Sequence, residues 1–362
     1  MSSPQTTAAA PALRHSLQHL AVHLLTPLLM CLGMALAYQG AFHQPAPHHL
    51  KVAVVGTSAQ AQGLADAVRA KAGPALDVST LSTREAAEQQ LRDRELVGAF
   101  LPDARSPELI VAKGGSDTSA MAAEAVFRNV TDKQGVPLAV TDLTTPSKGD
   151  PTGQGLFFLL VALSIGSYAS VAVIGAAGAA LGMRIRALVG LAVSLAVSVI
   201  GIVTAGPVFH VVDHDLAAVW ALGWLYSAGV IAIGIGLHSF LKRWTTLTMM
   251  VLFVMLNFTT SGGIYRPELQ NGLFGGLHAF WTGAGFMEGA RSILYFGGGA
   301  GLGRHVLTLV LWLLLGGAVM VGAVRYEKRA RARAPRASDP AADAAAGSGV
   351  AAEEEMEEAV AV

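Results

Sequence analysis

Five long runs of this chain carry no Asp, Glu, Lys or Arg: Leu17–Ala37, Gly155–Leu181, Ala187–Val208, Leu216–Phe240 and Val306–Val324. A lipid core about 30 Å thick is crossed by roughly 20 apolar residues in helix. Inside lipid the peptide groups must bond to one another, so uninterrupted runs of this kind read as helices. A sixth run, Thr246–Thr260, is shorter but as apolar, with Trp244 at its edge. The expectation is an α-helical polytopic membrane bundle of about six transmembrane helices. Composition agrees, since 52% of the 362 residues are hydrophobic and only 14% charged, too apolar a balance for a soluble chain.

Orientation follows from the cations beside the spans. Arg14 precedes the first, Arg184 and Arg186 separate the second and third, and Lys242 and Arg243 separate the fourth and fifth. Arg325, Lys328, Arg329, Arg331 and Arg333 follow the last. Six alternating helices put all of these on one side, with Asp213 and Asp215 opposite. The expected plan has a cytoplasmic N-terminus (1–16), a first transmembrane helix (17–41) and an extracytoplasmic α/β domain (42–154). A five-helix transmembrane bundle (155–325) and a disordered cytoplasmic tail (326–362) follow. This is a multi-pass protein of the cell membrane with both termini cytoplasmic. Ala35-Leu36-Ala37 also resembles a signal-peptidase site, but the apolar run exceeds a typical signal core and reads as an uncleaved anchor.

The segment from Leu50 to Asp142 changes character. Strands are expected at Leu50–Val55, Leu76–Thr80, Leu96–Leu101, Glu108–Lys113 and Val136–Thr141, with helices from Ser58, Thr83 and Ser116. The order βαβαββαβ implies an α/β domain inserted between helices 1 and 2. Ser58 and Ser116 read as helix caps. Val55-Gly56-Thr57-Ser58 lacks the dinucleotide spacing, and in Lys113-Gly114-Gly115-Ser116 the lysine precedes the glycines, so neither is a nucleotide loop. No cofactor is expected, and no acid–base pair or triad marks an enzyme.

A net charge of zero gives no field for nucleic acid. The single cysteine, Cys31, rules out an internal disulfide. His15, His19 and His23 share one helix face, and His210 and His214 repeat that spacing beside Asp213 and Asp215. Zinc needs such donors, yet histidines near lipid headgroups account for both sets. The uncharged spans argue against a proton-coupled antiporter or a cation channel.

Small residues stand where ionisable ones do not. Gly178 and Gly182 form a G-x-x-x-G, a candidate dimer or helix-packing face. The stretch 261–303 is glycine-rich yet apolar over Leu273–Met287 and reads as a re-entrant or interfacial segment. Trp281 and Tyr295 suit the headgroup zone, and Glu288 and Arg291, three apart, could pair on a helix. Asn257, Ser261, Gly262, Gly263, Tyr265, Glu288 and Arg291 are the candidate gate or packing residues.

One helix, a large outer α/β domain and then a helical bundle resembles the ATP-binding-cassette type-2 permeases, in particular their bacterial phage-infection-protein-like branch. Lys51-Val52-Ala53-Val54-Val55 resembles the opening strand of that outer domain. Asp142 with Pro146, then Gly149-Asp150-Pro151-Thr152-Gly153, resembles the return to the membrane. Asn257-Phe258-Thr259-Thr260-Ser261-Gly262-Gly263-Ile264-Tyr265 resembles the end of span five. Gly289-Ala290-Arg291 with Tyr295-Phe296 resembles the segment before the last helix. The resemblance implies a permease subunit exporting an amphipathic or hydrophobic substrate, working as a homodimer or heterodimer with a separate cytoplasmic ATPase. One departure is the very short loop Gly182–Arg186, where an ATPase would dock. The alternative is a non-transporting envelope scaffold or surface receptor with the same fold.

Overall fold

The computed structural model describes residues 9–333 apart from residue 179. The expectation of a disordered tail from residue 326 fails over its first residues, where helix packing on the bundle carries the last helix on to Arg333; the rest of the tail and the first eight residues lie outside the described residues. The histidine stripe of the first span falls on side chains that are likewise not described.

Helix α1 (Ala9–Phe42) is followed by the sheet-forming segment. The elements there are β1 (Leu50–Val55), α2 (Ala59–Ala72), β2 (Leu76–Leu81), α3 (Arg84–Arg92) and β3 (Gly98–Leu101). Then come β4 (Glu108–Val111), α4 (Asp117–Gln134) and β5 (Ala139–Asp142). The sheet order is β2-β1-β3-β4-β5, parallel except for the antiparallel β3–β4 pair. That one reversal is the short connection 102–107, while each parallel neighbour is reached through a helix. Ser58 and Ser116 cap α2 and α4 by accepting the Ala61 and Ser119 backbone N–H groups, each at 3.2 Å. Val52, Val54, Phe100, Leu109 and Val111 point to one face and meet α2 and α4; Phe100 stacks on Phe127 at 4.7 Å. Ala53, Ala99 and Ile110 point to the other and meet α3 through Ala87 and Leu91. The period-2 alternation of a strand makes both faces apolar here.

The remaining helices are α5 (Gly155–Ala177), α6 (Met183–Val203), α7 (Leu216–Leu241), α8 (Thr245–Met250), α9 (Leu256–Thr260), α10 (Gly272–His278), α11 (Thr282–Phe296) and α12 (Leu302–Arg333). Five helical stretches are long and apolar enough to cross a membrane: Leu20–Phe42, Gly155–Ala177, Met183–Val208, Leu216–Thr260 and Leu302–Arg333. The fourth of these runs 45 residues and contains the expected fourth and fifth spans together. It breaks at Lys242, whose φ is 47°, followed by a single 3₁₀ turn through Trp244. The part beyond the break, from α8 through a wide turn at Val251–Met255 to α9, is short.

Most of the exposed large apolar side chains lie on α1, α5, α6 and α12, among them Leu28, Phe158, Leu188 and Leu314. Outward apolar faces of this extent suit lipid, where they carry no penalty. Inside, the bundle buries Leu160, Leu163, Val230, Phe253 and Phe286. Helices α7 and α12 touch almost backbone to backbone. A Cβ added at Gly236 would stand 2.9 Å from the Met320 nitrogen, and one at Gly316 2.9 Å from the Ile233 nitrogen. Close approach between small residues replaces the hydrophobic drive that lipid removes.

Gly178 and Gly182 do not form a helix face. Helix α5 ends at Ala177 with Gly178 as its C-cap, and Gly182 is the N-cap of α6. The motif spans a turn rather than one helix, and nothing lies within 4 Å of a Cβ at Gly182.

Candidate functional site

The segment 261–303 folds inward and carries the densest polar cluster among the described residues. Helix α11 is buried along its whole length from Thr282 to Leu294. Its Glu288 and Arg291 are 2% and 4% exposed. An i,i+3 spacing places them on one face, and the Arg291 Nη1 donates to Glu288 Oε1 at 2.9 Å. The other Glu288 oxygen takes the guanidinium of Arg94, which arrives from the end of α3 in the sheet segment. Arg94 Nη1 also approaches the Glu288 carbonyl and the Ser292 hydroxyl, each at 3.4 Å. Its guanidinium lies 5.2 Å from the centroid of the Phe296 ring. Arg266, on the link between α9 and α10, completes the group with its Nε 3.6 Å from Glu288 Oε1.

Three guanidinium groups therefore surround one buried carboxylate. Burial opposes ionisation of Glu288, but Arg94, Arg266 and Arg291 outweigh it and hold the carboxyl well below its usual range. Burial pulls Arg94 down to about 10 against the pull of Glu288. Arg94 also has a φ of 60°, the left-handed turn that closes the end of α3.

The loop between α9 and α10 ties the cluster together. The Gly262 and Gly263 carbonyls accept from Arg291 at 2.8 and 3.4 Å. A Cβ at Gly263 would stand 2.2 Å from the Phe157 ring, and Gly262 has a φ of 75°. Thr118 Oγ1 donates to the Ile264 carbonyl at 2.9 Å, and Ser119 Oγ donates to Glu268 Oε1 at 2.9 Å. Both hydroxyls belong to the first turn of α4, so the sheet segment grips this loop twice. Beside the cluster is a cavity of about 360 Å³ lined by Arg94, Arg266, His278, Glu288, Arg304 and His305 among others. Half-buried His278 gives one ring nitrogen to the Thr260 carbonyl at 2.8 Å, and burial lowers its pKa.

The candidate residues divide. Gly262, Gly263, Glu288 and Arg291 come together here. Ser261 lies beside them, turned back to the Phe258 carbonyl at 3.1 Å. Tyr265 leaves the cluster and packs on Phe42 at the end of α1, 5.8 Å between ring centroids. Asn257 lies within the bundle, donating to Tyr226 Oη at 2.9 Å; that hydroxyl is 2.6 Å from Ser164 Oγ. Asn257 Oδ1 has no hydrogen-bond partner among the described residues. Trp281 is buried within the protein, donates to the Leu252 carbonyl at 3.3 Å and packs on Trp312. His214 bonds Asp213 at 2.6 Å and the Leu294 carbonyl at 2.8 Å, which occupies both ring nitrogens. No group of three metal-binding side chains occurs among the described residues.

Sequence reasoning missed Arg94, Arg266, Glu268, His278 and His305. Arg266 carried the only signal, as a cation directly after an apolar run. A second polar junction, also unforeseen, lies where α6, α7 and α12 meet. Buried Arg186 pairs with Glu327 at 2.8 Å, and Ser239 donates to the same carboxylate at 2.7 Å. Comparison of the chain with protein-family models, curated proteins and solved structures found no match.

Proposed function

We propose that the chain is a permease subunit of the ATP-binding-cassette type-2 kind, exporting an amphipathic or hydrophobic substrate across the cell membrane. In this reading 42–154 is the extracytoplasmic domain, both termini are cytoplasmic, and the subunit pairs with a second permease chain and a cytoplasmic ATPase in trans. The observation that carries it is the buried Arg94–Glu288 pair, which ties the sheet segment to α11, the element directly before the last span. A domain held by a loose linker would not feel the helices move. One clamped through a buried charge must move with α11, or leave a buried ion uncompensated at a cost of about 3–5 kcal/mol. The uncharged middles of the spans and the tight α7–α12 contact fit an apolar path between helices rather than an ion path.

The test is purification from native membranes followed by flux in sealed vesicles. An associated ATPase and nucleotide-dependent efflux of an amphipathic dye are expected, with efflux reduced at least tenfold in Glu288→Gln. Repeated absence of both removes the permease reading. A second reading, an envelope scaffold or surface receptor, is favoured by the turn between α5 and α6. Only residues 178–182 separate these helices, too few for an ATPase-docking helix. Deleting residues 45–150 separates the two, because a receptor then loses all function while a permease retains some flux.

A further inference from the structure

Helices α2 and α4 lie on the same face of the sheet, α2 over β1 and β2, α4 mainly over β3 and β4. They leave a groove of about 550 Å³ between them. Its walls are apolar, with Leu64 and Val68 from α2, Val126 and Val130 from α4, and Leu76 from β2. One end is walled by Pro47, in the link 43–49 that joins α1 to the sheet. No Asp or Glu is among the groove residues, but Lys71 and Lys133 both are. The volume is within the range of pockets that enclose a small organic molecule, and an apolar lining with few polar groups is their usual make-up.

Each lysine stands in the last turn of its helix, where a cation complements the helix dipole. That accounts for either one alone. It does not account for two ammonium groups brought together across a groove: Lys133 lies close enough to push the Lys71 pKa down. Neither lysine has a carboxylate within 4 Å among the described residues: Asp66 on α2 is taken by Arg69, and Asp132, next to Lys133 in sequence, does not pair with it. Two like charges at the mouth of an apolar slot form the complement of a chain-like molecule with one acidic end.

We propose that the α2–α4 groove binds a single-chain acidic amphiphile, a long-chain carboxylic acid, with its alkyl chain along Leu64, Val68, Val126 and Val130 and its carboxylate between Lys71 and Lys133. The chain removes apolar wall from water, and the carboxylate turns a repulsive pair into a charge-assisted one. The site is separate from the Glu288 cluster, and its occupancy does not depend on whether the protein transports anything.

The experiment uses the full chain in nanodiscs of phosphatidylcholine and two photoreactive probes, hexadecanoic acid with a mid-chain diazirine and the matching hexadecanol. Labelled peptides are located by mass spectrometry. The acid is expected to label 59–72 and 117–134 at least tenfold more than the alcohol does. Lys71→Gln with Lys133→Gln, both at exposed positions, removes that preference. Ala67→Trp, which fills the slot from its open side, suppresses labelling by both probes. Equal labelling by acid and alcohol, or labelling confined to the spans, overturns the proposal. So does undiminished labelling of the groove in the Ala67→Trp protein, provided its melting temperature matches the parent.

Discussion

Removing Glu288 and removing Arg94 should have unequal effects, although they break the same contact. The cluster comprises Arg94, Arg266 and Arg291 against Glu288 and Glu268, a formal sum of +3 − 2 = +1. Glu288→Gln raises the sum to +2 and leaves buried Arg291 and Arg94 without their carboxylate. Loss of one partner of a buried pair costs about 3–5 kcal/mol. Arg94→Met lowers the sum to 0, and Glu288 keeps Arg291 at 2.9 Å and Arg266 at 3.6 Å. The loss is then nearer that of a charged hydrogen bond, about 1.5–3 kcal/mol. The double variant returns the sum to +1, so it should be more stable than Glu288→Gln alone. Amide hydrogen exchange in nanodiscs reads this locally, since protection of 94–101 and 282–296 reports opening of the junction. Exchange there should rise roughly 100-fold or more in Glu288→Gln and clearly less in Arg94→Met, each 1.4 kcal/mol being about tenfold. Equal effects of the two single variants, or a double variant worse than Glu288→Gln, would falsify the charge argument.

Three further outcomes follow from single contacts. Tyr226→Phe deletes the hydroxyl shared by Ser164 and Asn257; with those groups left buried, the melting temperature should drop by an amount matching about 1–3 kcal/mol. Gly149→Ala puts a Cβ 1.8 Å from the Phe209 carbonyl oxygen, a backbone clash that no side-chain rotation relieves. Folded yield should fall sharply, and an unchanged yield and melting curve would contradict the geometry. The two histidines should respond to pH with opposite sign. Burial depresses His278 from 6.5, so the unfolded chain binds more protons below that pH, and the stability linked to His278 is lost on acidification. Asp213, as the largest influence, raises His214 from 6.5, so its contribution is complete below pH 6.5 and fades as pH rises through the elevated value. Across pH 5 to 8 the slope of stability against pH should become less positive in His278→Gln and more positive in His214→Gln, as read from melting curves.

Much of the fold was legible because it is written in local pattern. The strand–helix order from β1 to β5 is the βαβαββαβ read from the sequence, since turn residues and period-2 runs mark each boundary. Ser58 and Ser116 announced their helices by the chemistry of a cap. The count of spans was less secure for a physical reason. Hydropathy reports what a residue prefers as solvent, not whether a helix breaks, and Leu216–Thr260 is one apolar stretch interrupted only at Lys242. The glycines at 178 and 182 misled for a related reason: a G-x-x-x-G spacing means close packing only inside a helix, and the same residues also end helices.

The site was half legible, and the divide falls at sequence separation. Glu288 and Arg291 were readable as a pair because a helix brings i and i+3 together without help from the fold. Arg94 lies 194 residues away from Glu288, and nothing local sets it apart from the arginines 84 and 92 on the helix before it. It looked like one more charge on a water-facing domain. What moves it inside is topology: the sheet segment rests on α11 through Arg94 and through the first turn of α4, so the end of α3 is carried into the bundle. A buried charge of this origin adds little net stability compared with an apolar contact of the same size, because desolvation offsets most of the attraction. It does penalise every misplacement of the sheet segment, since any register that leaves Arg94 or Glu288 unpaired exposes an uncompensated charge to a low-dielectric surrounding. The cluster is therefore better understood as fixing where the sheet segment sits than as holding it there, and the unequal response of the two single variants is what tells these roles apart.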